Sequence, residues 1–413
     1  MNEIRTRFHY LNKDPDYHGN RLYFDNGAGS LRLKKAIEVF SHFDAFPNDI
    51  EKGILYEAYK KGLEDIRTIF NAQEGSIITE ISASQVMFKM TETIIKNVPG
   101  TNVVVTEGDH PSSFDAATIF SKEYKKELRI AKTNNENGGT NVDDIIKNID
   151  KNTCLLSIIY ASNISGAVLD IKTIINEARK INPDLYIIVD GVQFAPHSSI
   201  DVNALKIDGI NFAPYKFFSN RGIGFGYVSN RMSMLPHQRL IDAEEKSWMI
   251  GSPVVGSFAA ITEVVNYVCW IGEKFISNDN RRRLFEEGMK RINLHEKALM
   301  NEMLEGNGTL KGIRYLPNIN IYFDSKNLNQ KEFLIAMRFD NLSVEKSKEL
   351  LDKNNIVVAI RSHDSLFAKR QLNSFGVKDF LRITPMHYNS QEDINDFLKK
   401  IAHISKQTKN IYN

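Results

Sequence analysis

Short apolar runs alternate with amphipathic stretches between about residues 102 and 229. The runs are rich in β-branched residues and fall at Val103–Thr106, Leu128–Ile130, Cys154–Tyr160, Leu185–Val189, Gly209–Phe212 and Ile223–Val228. Helical periodicity is found between them, at Ser113–Tyr124, Val142–Ile149 and Ile171–Lys180. Continuous apolar strands separated by helices predict an α/β fold with a mostly parallel, doubly wound sheet. Ligands bind at the carboxyl ends of such strands, so the residues that follow each strand are candidate site residues.

The pattern changes after the long apolar stretch Val254–Ile271. Residues 278–287 are polar and predict the start of a long exposed helix that ends near residues 306–308. Strand-like and helical segments then mix, at Ile319–Phe323, Ser343–Asn354, Ile356–Ile360, Phe380–Ile383 and from Gln391 onward. This predicts a large domain over residues 21–275 and a smaller α+β domain over residues 276–413. Residues 1–20 are expected to join the smaller domain.

Composition narrows the possible partners. Lys and Arg total 53 and Asp and Glu total 51, so the net charge of +2 predicts no nucleic-acid partner and no anionic membrane surface as partner. The N-terminal residues lack the apolar core of a signal peptide, and polar residues interrupt Val254–Ile271, which favours a buried helix over a membrane span. Cys154 and Cys269 are too few for a disulfide framework or a thiolate metal site, so no metal is expected. We expect a cytoplasmic protein.

Two polar residues that follow neighbouring predicted strands could together bind one cofactor. Asp190 follows Leu185–Val189, where an aspartate alone is most often a turn or cap residue. Lys216 follows Gly209–Phe212, where a lysine alone is most often a solvated charge. Together they offer an amine that can hold an aldehyde as a Schiff base and a carboxylate that can keep a pyridine ring protonated. An enzyme that uses pyridoxal 5'-phosphate (PLP) needs both.

The sequence around these two residues resembles the lysine region of class V aminotransferases, which are fold type I PLP enzymes. The resemblance is carried by Val189-Asp-Gly-Val-Gln193 and by Tyr215-Lys-Phe-Phe-Ser-Asn-Arg-Gly-Ile-Gly224. That family includes cysteine desulfurases, selenocysteine lyases and isopenicillin-type epimerases. It implies a large doubly wound domain, a smaller α+β C-terminal domain and a PLP cofactor on Lys216, with Asp190 facing the ring nitrogen.

Three further segments extend the resemblance and imply more cofactor contacts. Ile77–Gln85 is similar to the family's phosphate turn, Asp109–Ser112 to the segment whose histidine stacks on the cofactor ring, and Ser162–Gly166 to the segment that reaches the cofactor's phenolic oxygen. The implied cofactor-binding residues are Ala83, Ser84, Gln85, His110, Asn163, Asp190, Gln193, Tyr215, Lys216 and Ser252. Among these, Lys216, His110 and Asp190 are expected to be catalytic.

Substrate and subunit contacts are implied in the same way. Phe380–Ser390 is similar to the family's substrate-arginine segment, so Arg382 is expected to grip the α-carboxylate of an amino acid. Arg361 and Asn26 are further candidates for substrate binding. Ser252 lies in a segment similar to one that reaches the phosphate of the other subunit, which implies a homodimer with shared active sites.

The departures from the family pattern bear on the reaction. Ala213 stands where many members have a phosphate-binding serine, and Tyr215 replaces the usual histidine before the lysine. The segment Arg361–Ala368 holds no cysteine, although thiol-using desulfurases carry their reactive cysteine there. Cys154 and Cys269 fall in apolar segments and are expected to be inert packing thiols. Persulfide-forming cysteine desulfuration is therefore not expected.

The reaction on the amino acid has three possible outcomes after loss of the Cα proton to Lys216. We expect an aminotransferase first, because transamination needs no further catalytic group. A lyase that expels a β- or γ-substituent is the alternative, followed by an epimerase. A non-catalytic PLP-binding relative is a further alternative. The glycines of Arg221–Gly226 do not predict a dinucleotide turn, because they lie before or within a strand.

Overall fold

The computed structural model describes residues 1–13, 19–47 and 52–407 of the 413-residue chain. The elements up to the end of the long helix are α1 (Asn2–Arg5), β1 (Leu22–Tyr23), α2 (Lys34–Asp44), α3 (Gly53–Phe70), β2 (Ser76–Glu80), α4 (Ala83–Asn97), β3 (Asn102–Thr106), α5 (Pro111–Glu123), β4 (Glu127–Ala131), α6 (Val142–Ile146), β5 (Thr153–Ile159), α7 (Ile171–Ile181), β6 (Tyr186–Asp190), α8 (Val202–Leu205), β7 (Gly209–Phe212), β8 (Gly224–Val228), α9 (Asn230–Ser233), α10 (Val255–Glu273) and α11 (Arg281–Glu305). The remaining elements are β9 (Ile319–Tyr322), β10 (Ile335–Phe339), α12 (Val344–Lys353), β11 (Ile356–Val357), β12 (Ala359–Ser362), α13 (Lys369–Phe375), β13 (Asp379–Ile383) and α14 (Gln391–Gln407).

Seven strands form the large sheet, in the order β2-β8-β7-β6-β5-β3-β4. Strands β3 to β7 are parallel, and β8 runs antiparallel to its two neighbours, β7 and β2. Every residue of β3, β5, β7 and β8 is buried. Successive residues of β3 face different apolar clusters, with Val104 in one and both Val103 and Val105 in the other. The predicted mostly parallel sheet with two covered faces is confirmed.

Helix α10 follows this sheet in the chain and packs against α2, α3 and α11. Within the part of the chain that the structure describes, it is the helix whose length and composition would suit a membrane span, yet 78% of that window is buried in the protein. It is therefore packed as a core helix is. The connection between α10 and α11 contains the predicted domain boundary between residues 275 and 276. The exact domain boundaries stay a prediction.

A smaller sheet lies in the C-terminal part of the chain. Its four antiparallel strands follow the order β12-β13-β10-β9, and the helices α11, α12 and α14 contact elements of this region. The predicted single strand Ile356–Ile360 is divided in two, because β11 pairs with β1 while β12 pairs with β13. The predicted smaller α+β region is confirmed, with an antiparallel sheet.

The beginning of the chain is joined to the segment that follows β13. The guanidinium of Arg5 lies 2.6 Å from the Asp393 carboxylate. The backbone N–H of Leu31 donates to the Tyr388 hydroxyl at 3.0 Å, in the buried interior. These contacts place the turn after β1 against the end of β13, which is the strand that carries Arg382.

Candidate active site

A cavity of about 470 Å³, open to solvent, lies at the carboxyl ends of the parallel strands. The sequence-predicted residues that line it are Ala83, Ser84, His110, Asn163, Asp190, Gln193, Tyr215 and Lys216. The fold therefore brings together residues from five separate segments of the chain.

Asp190 is the last residue of β6, and its carboxylate is buried at the base of the cavity. The Val192 N–H donates to one carboxylate oxygen at 3.1 Å, and the Ser113 and Ser112 hydroxyls donate to the other at 3.3 and 3.5 Å. Burial raises the pKa of Asp190, while these hydrogen bonds and the nearby Lys216 charge oppose that rise. The carboxylate is thus held in one position to meet a cationic ring nitrogen.

Lys216 ends a single 3-10 turn, Pro214–Lys216, directly after β7. Burial and the charge of Arg382 lower the pKa of its amine to about 7, although the Asp190 charge acts in the opposite direction. An amine with this pKa is uncharged in a large fraction of molecules at neutral pH. Lys216 can therefore act as a nucleophile or as a base without prior loss of a tightly held proton.

The start of helix α4 faces the same cavity. The Ser82 hydroxyl caps the helix by accepting the Gln85 N–H at 3.2 Å, so this N–H is already used. Gln85 is not among the residues that line the cavity. Ala83 and Ser84 do line it, with the positive end of the helix dipole. A Cβ at Gly224 would lie 2.1 Å from the Ala83 nitrogen, so only glycine on β8 lets the helix start approach this closely.

His110 is the N-cap residue of α5 and lines the cavity with its ring. Its Nδ1 accepts the Ser112 N–H at 3.2 Å, which assigns the ring proton to Nε2. Burial and the charge of Lys216 lower the pKa of His110 to about 3, so the ring is neutral. A neutral flat ring suits stacking on a cofactor better than proton donation.

Asn163 and Gln193 lie on two of the loops that follow the strands. The Gln371 amide donates to Asn163 Oδ1 at 2.9 Å, which leaves Asn163 Nδ2 as the donor available to a ligand. Gln193 Nε2 donates to the Gly27 carbonyl at 3.2 Å. Both side chains line the cavity, so each retains a polar group for a cofactor oxygen.

Arg382 comes from β13, and only 1% of it is exposed. Its guanidinium donates to the Asn163 carbonyl at 3.1 Å and to Asp25 Oδ1 at 3.2 Å, while Nε has no hydrogen-bond partner within the described residues. Burial and the neighbouring charge of Arg361 lower the pKa of Arg382 to about 9, against the effect of Asp25. A Cβ at Gly27 would lie 2.9 Å from the guanidinium carbon, so a larger residue there would displace the guanidinium. Two guanidinium groups and one carboxylate thus leave one positive charge to be met by a substrate anion.

Three predicted residues lie elsewhere or are used differently. Ser252 is exposed just before α10 and does not line the cavity of its own chain, so its role in a second subunit stays a prediction. The Asn26 amide donates to the Thr384 carbonyl at 2.7 Å and accepts the Tyr388 hydroxyl, so both of its polar atoms already hold the turn after β1. Arg361, on β12, is partly buried beside Arg382.

Both cysteines are buried away from the cavity. The Cys154 thiol donates to the Asn102 carbonyl at 3.4 Å inside the large sheet. Burial raises the pKa of the Cys269 thiol on α10 to about 11. Neither thiol is placed or activated to attack a substrate in the cavity.

Several supporting residues were missed at the level of sequence. They are Asp25, Ser112, Ser113 and Gln371, each of which fixes a predicted site residue by a hydrogen bond. Ser112 lies in Asp109–Ser112, the segment that resembles the family's histidine segment, so its position next to His110 could have marked it as a site residue. Asp25 and Gln371 act across long stretches of chain, so no local pattern marks them.

The side chains and the helix start match the three chemical ends of PLP. An uncharged lysine amine corresponds to the aldehyde, a buried carboxylate to the ring nitrogen, and a helix start with free N–H groups to the phosphate. These groups share one cavity. The residues present therefore fit this cofactor.

Comparison with known proteins gives one consistent result. The family model described as "Aminotransferase class-V" matches residues 22–397. A cysteine desulfurase of Wigglesworthia glossinidia brevipalpis is 25% identical over 98% of both chains, and a probable cysteine desulfurase of Mycoplasma genitalium is 24% identical over 94% of this chain and 93% of the relative. The solved apo structure of a cysteine desulfurase from Thermococcus onnurineus NA1 superposes with a TM-score of 0.81 at 18% identity, over 98% of both chains. An Escherichia coli cysteine desulfurase structure superposes with a TM-score of 0.77 at 17% identity, again over 98% of both chains. These structures support the fold.

Proposed function

We propose that this chain, which belongs to the class-V aminotransferase family and depends on PLP, is a lyase that removes a sulfur substituent from Cβ of an α-amino acid. The net reaction is amino acid plus water to pyruvate, ammonia and a thiol, or hydrogen sulfide where the substrate is cysteine. An aminotransferase is not specifically supported, because the relatives are named cysteine desulfurases. A desulfurase acts on the same carbon–sulfur bond.

Lys216 has the proton-moving role in this proposal. Bound PLP supplies an aldehyde that takes an amine and a ring that withdraws electrons from Cα. Lys216 Nζ, with its pKa lowered to about 7, takes the proton from the substrate Cα and can deliver it to the departing sulfur. Asp190 Oδ2, held by two serine hydroxyls, keeps the ring nitrogen protonated.

Arg382 orients the substrate. Its guanidinium is positioned by the Asn163 carbonyl and Asp25, and a substrate α-carboxylate can neutralise the remaining positive charge of the Arg361–Arg382 pair. The neutral His110 ring would stack on the bound cofactor without adding charge. These residues set the amino acid with its Cα near Lys216.

The fate of the sulfur follows from where the thiols are. The chain has two cysteines, both buried away from the cavity, so the sulfur leaves as a free thiol or sulfide rather than as a persulfide on this chain. The observation that carries the proposal is the cavity itself, which is lined by the desolvated Lys216 and by Asp190 and contains no thiol. The names of the relatives, which are cysteine desulfurases, support a reaction at a carbon–sulfur bond.

The test is a product analysis of the holoenzyme with L-cysteine and S-methyl-L-cysteine. We expect pyruvate and sulfide or thiol in equal amounts, no product from Lys216→Ala, and unchanged product from a Cys154→Ala/Cys269→Ala double variant. Alanine in place of pyruvate would assign a persulfide-forming desulfuration. A keto acid that retains the sulfur, together with the amine form of the cofactor, would assign an aminotransferase. Either outcome overturns the proposal.

A further inference from the structure

The segment between β12 and α13 leads into a helix that is anchored on loops of the large sheet, because α13 holds both Arg370 and Gln371. Gln371 Nε2 donates to the Gly108 carbonyl at 2.7 Å, and the guanidinium of Arg370 lies 3.8 Å from the centroid of the Phe114 ring. Arg370 also donates to two backbone carbonyls of the loop before α5. The residues that come just before α13 are therefore held in a fixed position relative to His110, which begins α5.

Two large apolar side chains protrude from this anchored segment. Leu366 is 83% exposed and Phe367 is 61% exposed, while the next residue, Ala368, is buried. Exposing two such side chains together loses the free energy that burial would give, about 1.5–3 kcal/mol for each. We call Leu366 and Phe367 the apolar tip.

Phe367 is the member of the apolar tip that reaches the active site. Its ring lies parallel to the His110 ring, with centroids 6.1 Å apart and planes 10° apart. This spacing is that of an offset stack. Phe367 does not itself line the cavity, but it stacks on His110, which does, and most of its surface is open to a ligand.

Charge decides what kind of ligand group suits this position. Arg361 and Arg382, partly balanced by Asp25, retain one positive charge, which a single α-carboxylate neutralises. Phe367 offers no charge, and the exposed charged residues on either side of it, Asp364 and Lys369, are of opposite sign. The substituent beyond the substrate Cβ is therefore expected to be uncharged and apolar.

We propose that Phe367 forms a subsite for an apolar, preferably aromatic, substituent on the sulfur of the substrate, so that cysteine S-conjugates are better substrates than free cysteine. This inference rests on the proposed lyase function. The conjugate and water give the apolar thiol, pyruvate and ammonia, and the Cα proton ends on the sulfur. The bond broken is Cβ–S, and no oxidant or reductant is consumed.

The test compares kcat/KM for S-phenyl-L-cysteine and S-methyl-L-cysteine on the holoenzyme. We expect the wild type to prefer the phenyl conjugate and Phe367→Ala to reduce that preference about tenfold, since stacked aromatic pairs are of this strength. Phe367→Leu should give an intermediate preference. Leu366→Ala is the matched control, because it shortens the other exposed residue of the apolar tip, and its preference should stay within about twofold of wild type.

Binding of unreactive analogues separates this inference from the lyase function. L-Homophenylalanine and L-norvaline replace the sulfur of the two conjugates by a methylene group, and their dissociation constants can be measured by calorimetry. Weaker binding of homophenylalanine alone to Phe367→Ala supports the subsite even where no thiol is released. Thiol release with equal preference in wild type and Phe367→Ala overturns the subsite and leaves the lyase function standing. A changed dimer dissociation constant with unchanged preference also overturns it, by assigning Phe367 to a contact between copies.

Discussion

The side-chain amide of Gln371 donates a hydrogen bond of 2.9 Å to Asn163 Oδ1, although the two residues are 208 positions apart. Gln371 belongs to α13 and Asn163 to a loop that lines the active-site cavity. The bond settles which end of the Asn163 amide faces the cavity. The orientation of one cofactor-binding residue is therefore set from the C-terminal part of the chain.

Replacement of Gln371 tests this relationship. Gln371→Leu leaves Asn163 Oδ1 buried without its donor, so we expect the PLP dissociation constant to rise about tenfold. The absorption maximum of the bound cofactor should shift as well, because Asn163 Nδ2 would be the group that donates to its phenolic oxygen. Ser374→Ala, on the same helix, is the control for loss of a hydrogen bond outside the cavity. Wild-type affinity and an unshifted spectrum in Gln371→Leu would remove the positioning role.

The lowered pKa of Lys216 predicts how cofactor capture depends on pH. The neutral amine is the nucleophile, so the rate at which the apoprotein captures PLP should rise as the pH increases through about 7 and level off above it. An ordinary lysine, with a pKa of 10.5, would give a rate that still rises at pH 9. Stopped-flow absorbance over pH 5.5–9.5, with all buffers free of amines, measures the midpoint. A midpoint near 10 contradicts the desolvated amine.

Arg382 is expected to control substrate affinity more than cofactor affinity. Arg382→Lys keeps the charge and loses the fork that holds a carboxylate by two bonds, so KM should rise about 30-fold. The PLP dissociation constant should change by less than about twofold, because Arg382 is not among the residues that line the cavity. Arg338→Lys is the matched control, because Arg338 lies on the neighbouring strand β10 and forms an ion pair with Asp379 of β13. Loss of cofactor with an unchanged KM would refute this role.

A buried ion pair behind the site predicts a pH-dependent stability. The Glu296 carboxylate lies 2.7 Å from His197 Nδ1. Burial alone would lower the pKa of His197, but Glu296 raises it to about 9, and His197 in turn lowers that of Glu296 to about 2. The stabilisation of the fold that comes from the shifted pKa of His197 is complete below its ordinary pKa of 6.5 and is lost as the pH rises through about 9. The stabilisation that comes from the shifted pKa of Glu296 is complete above its ordinary pKa of 4.5 and is lost as the pH falls through about 2.

Glu296→Gln should therefore reduce the thermal midpoint more at pH 6 than at pH 10. The expected loss at pH 6 is about 3 kcal/mol, because the buried His197 loses its hydrogen-bonded ion-pair partner and keeps only the nearby Glu332 carboxylate. The double variant with His197→Gln should lose less than the sum of the two single losses. Differential scanning calorimetry at both pH values measures the effect. Equal losses at pH 6 and pH 10 would show that the pair does not provide the stability.

Ser252 tests the expected homodimer. Ser252→Ala should weaken PLP binding about tenfold, even though Ser252 does not line the cavity of its own chain. Mixed dimers of Ser252→Ala and Lys216→Ala chains should regain wild-type affinity at the one site that combines an intact Lys216 with an intact Ser252. Ser277→Ala, an exposed serine between α10 and α11, is the control. Absence of recovery in mixed dimers would exclude a shared site.

Much of the site could be predicted because strands are local features and topology places their ends. The apolar runs that end before Asp190 and Lys216 are visible in sequence, and parallel pairing of β6 and β7 puts both residues at one edge. The helix start at Ala83 was likewise implied by its own segment. Local pattern and global topology agree at these positions.

The remaining features depend on contacts between distant segments. Asp25 meets Arg382 across 357 positions, and nothing near either residue marks the pair. The division of Ile356–Ile360 into two strands follows from its two different partners, β1 and β13, which periodicity alone does not identify. Asn26 could not be assigned from sequence to its bonds with Thr384 and Tyr388 for the same reason.

The contacts between the turn after β1 and the segment after β13 have a consequence for synthesis of the protein. Asn26 emerges from the ribosome well before its partners Thr384 and Tyr388, which follow it by 358 and 362 positions. The large sheet can form during translation, but the contacts that tie the turn after β1 to the segment after β13 can form only once Tyr388 has been added. A nascent chain can thus form the sheet edge that carries Lys216 well before it can form the region that would bind an amino-acid substrate.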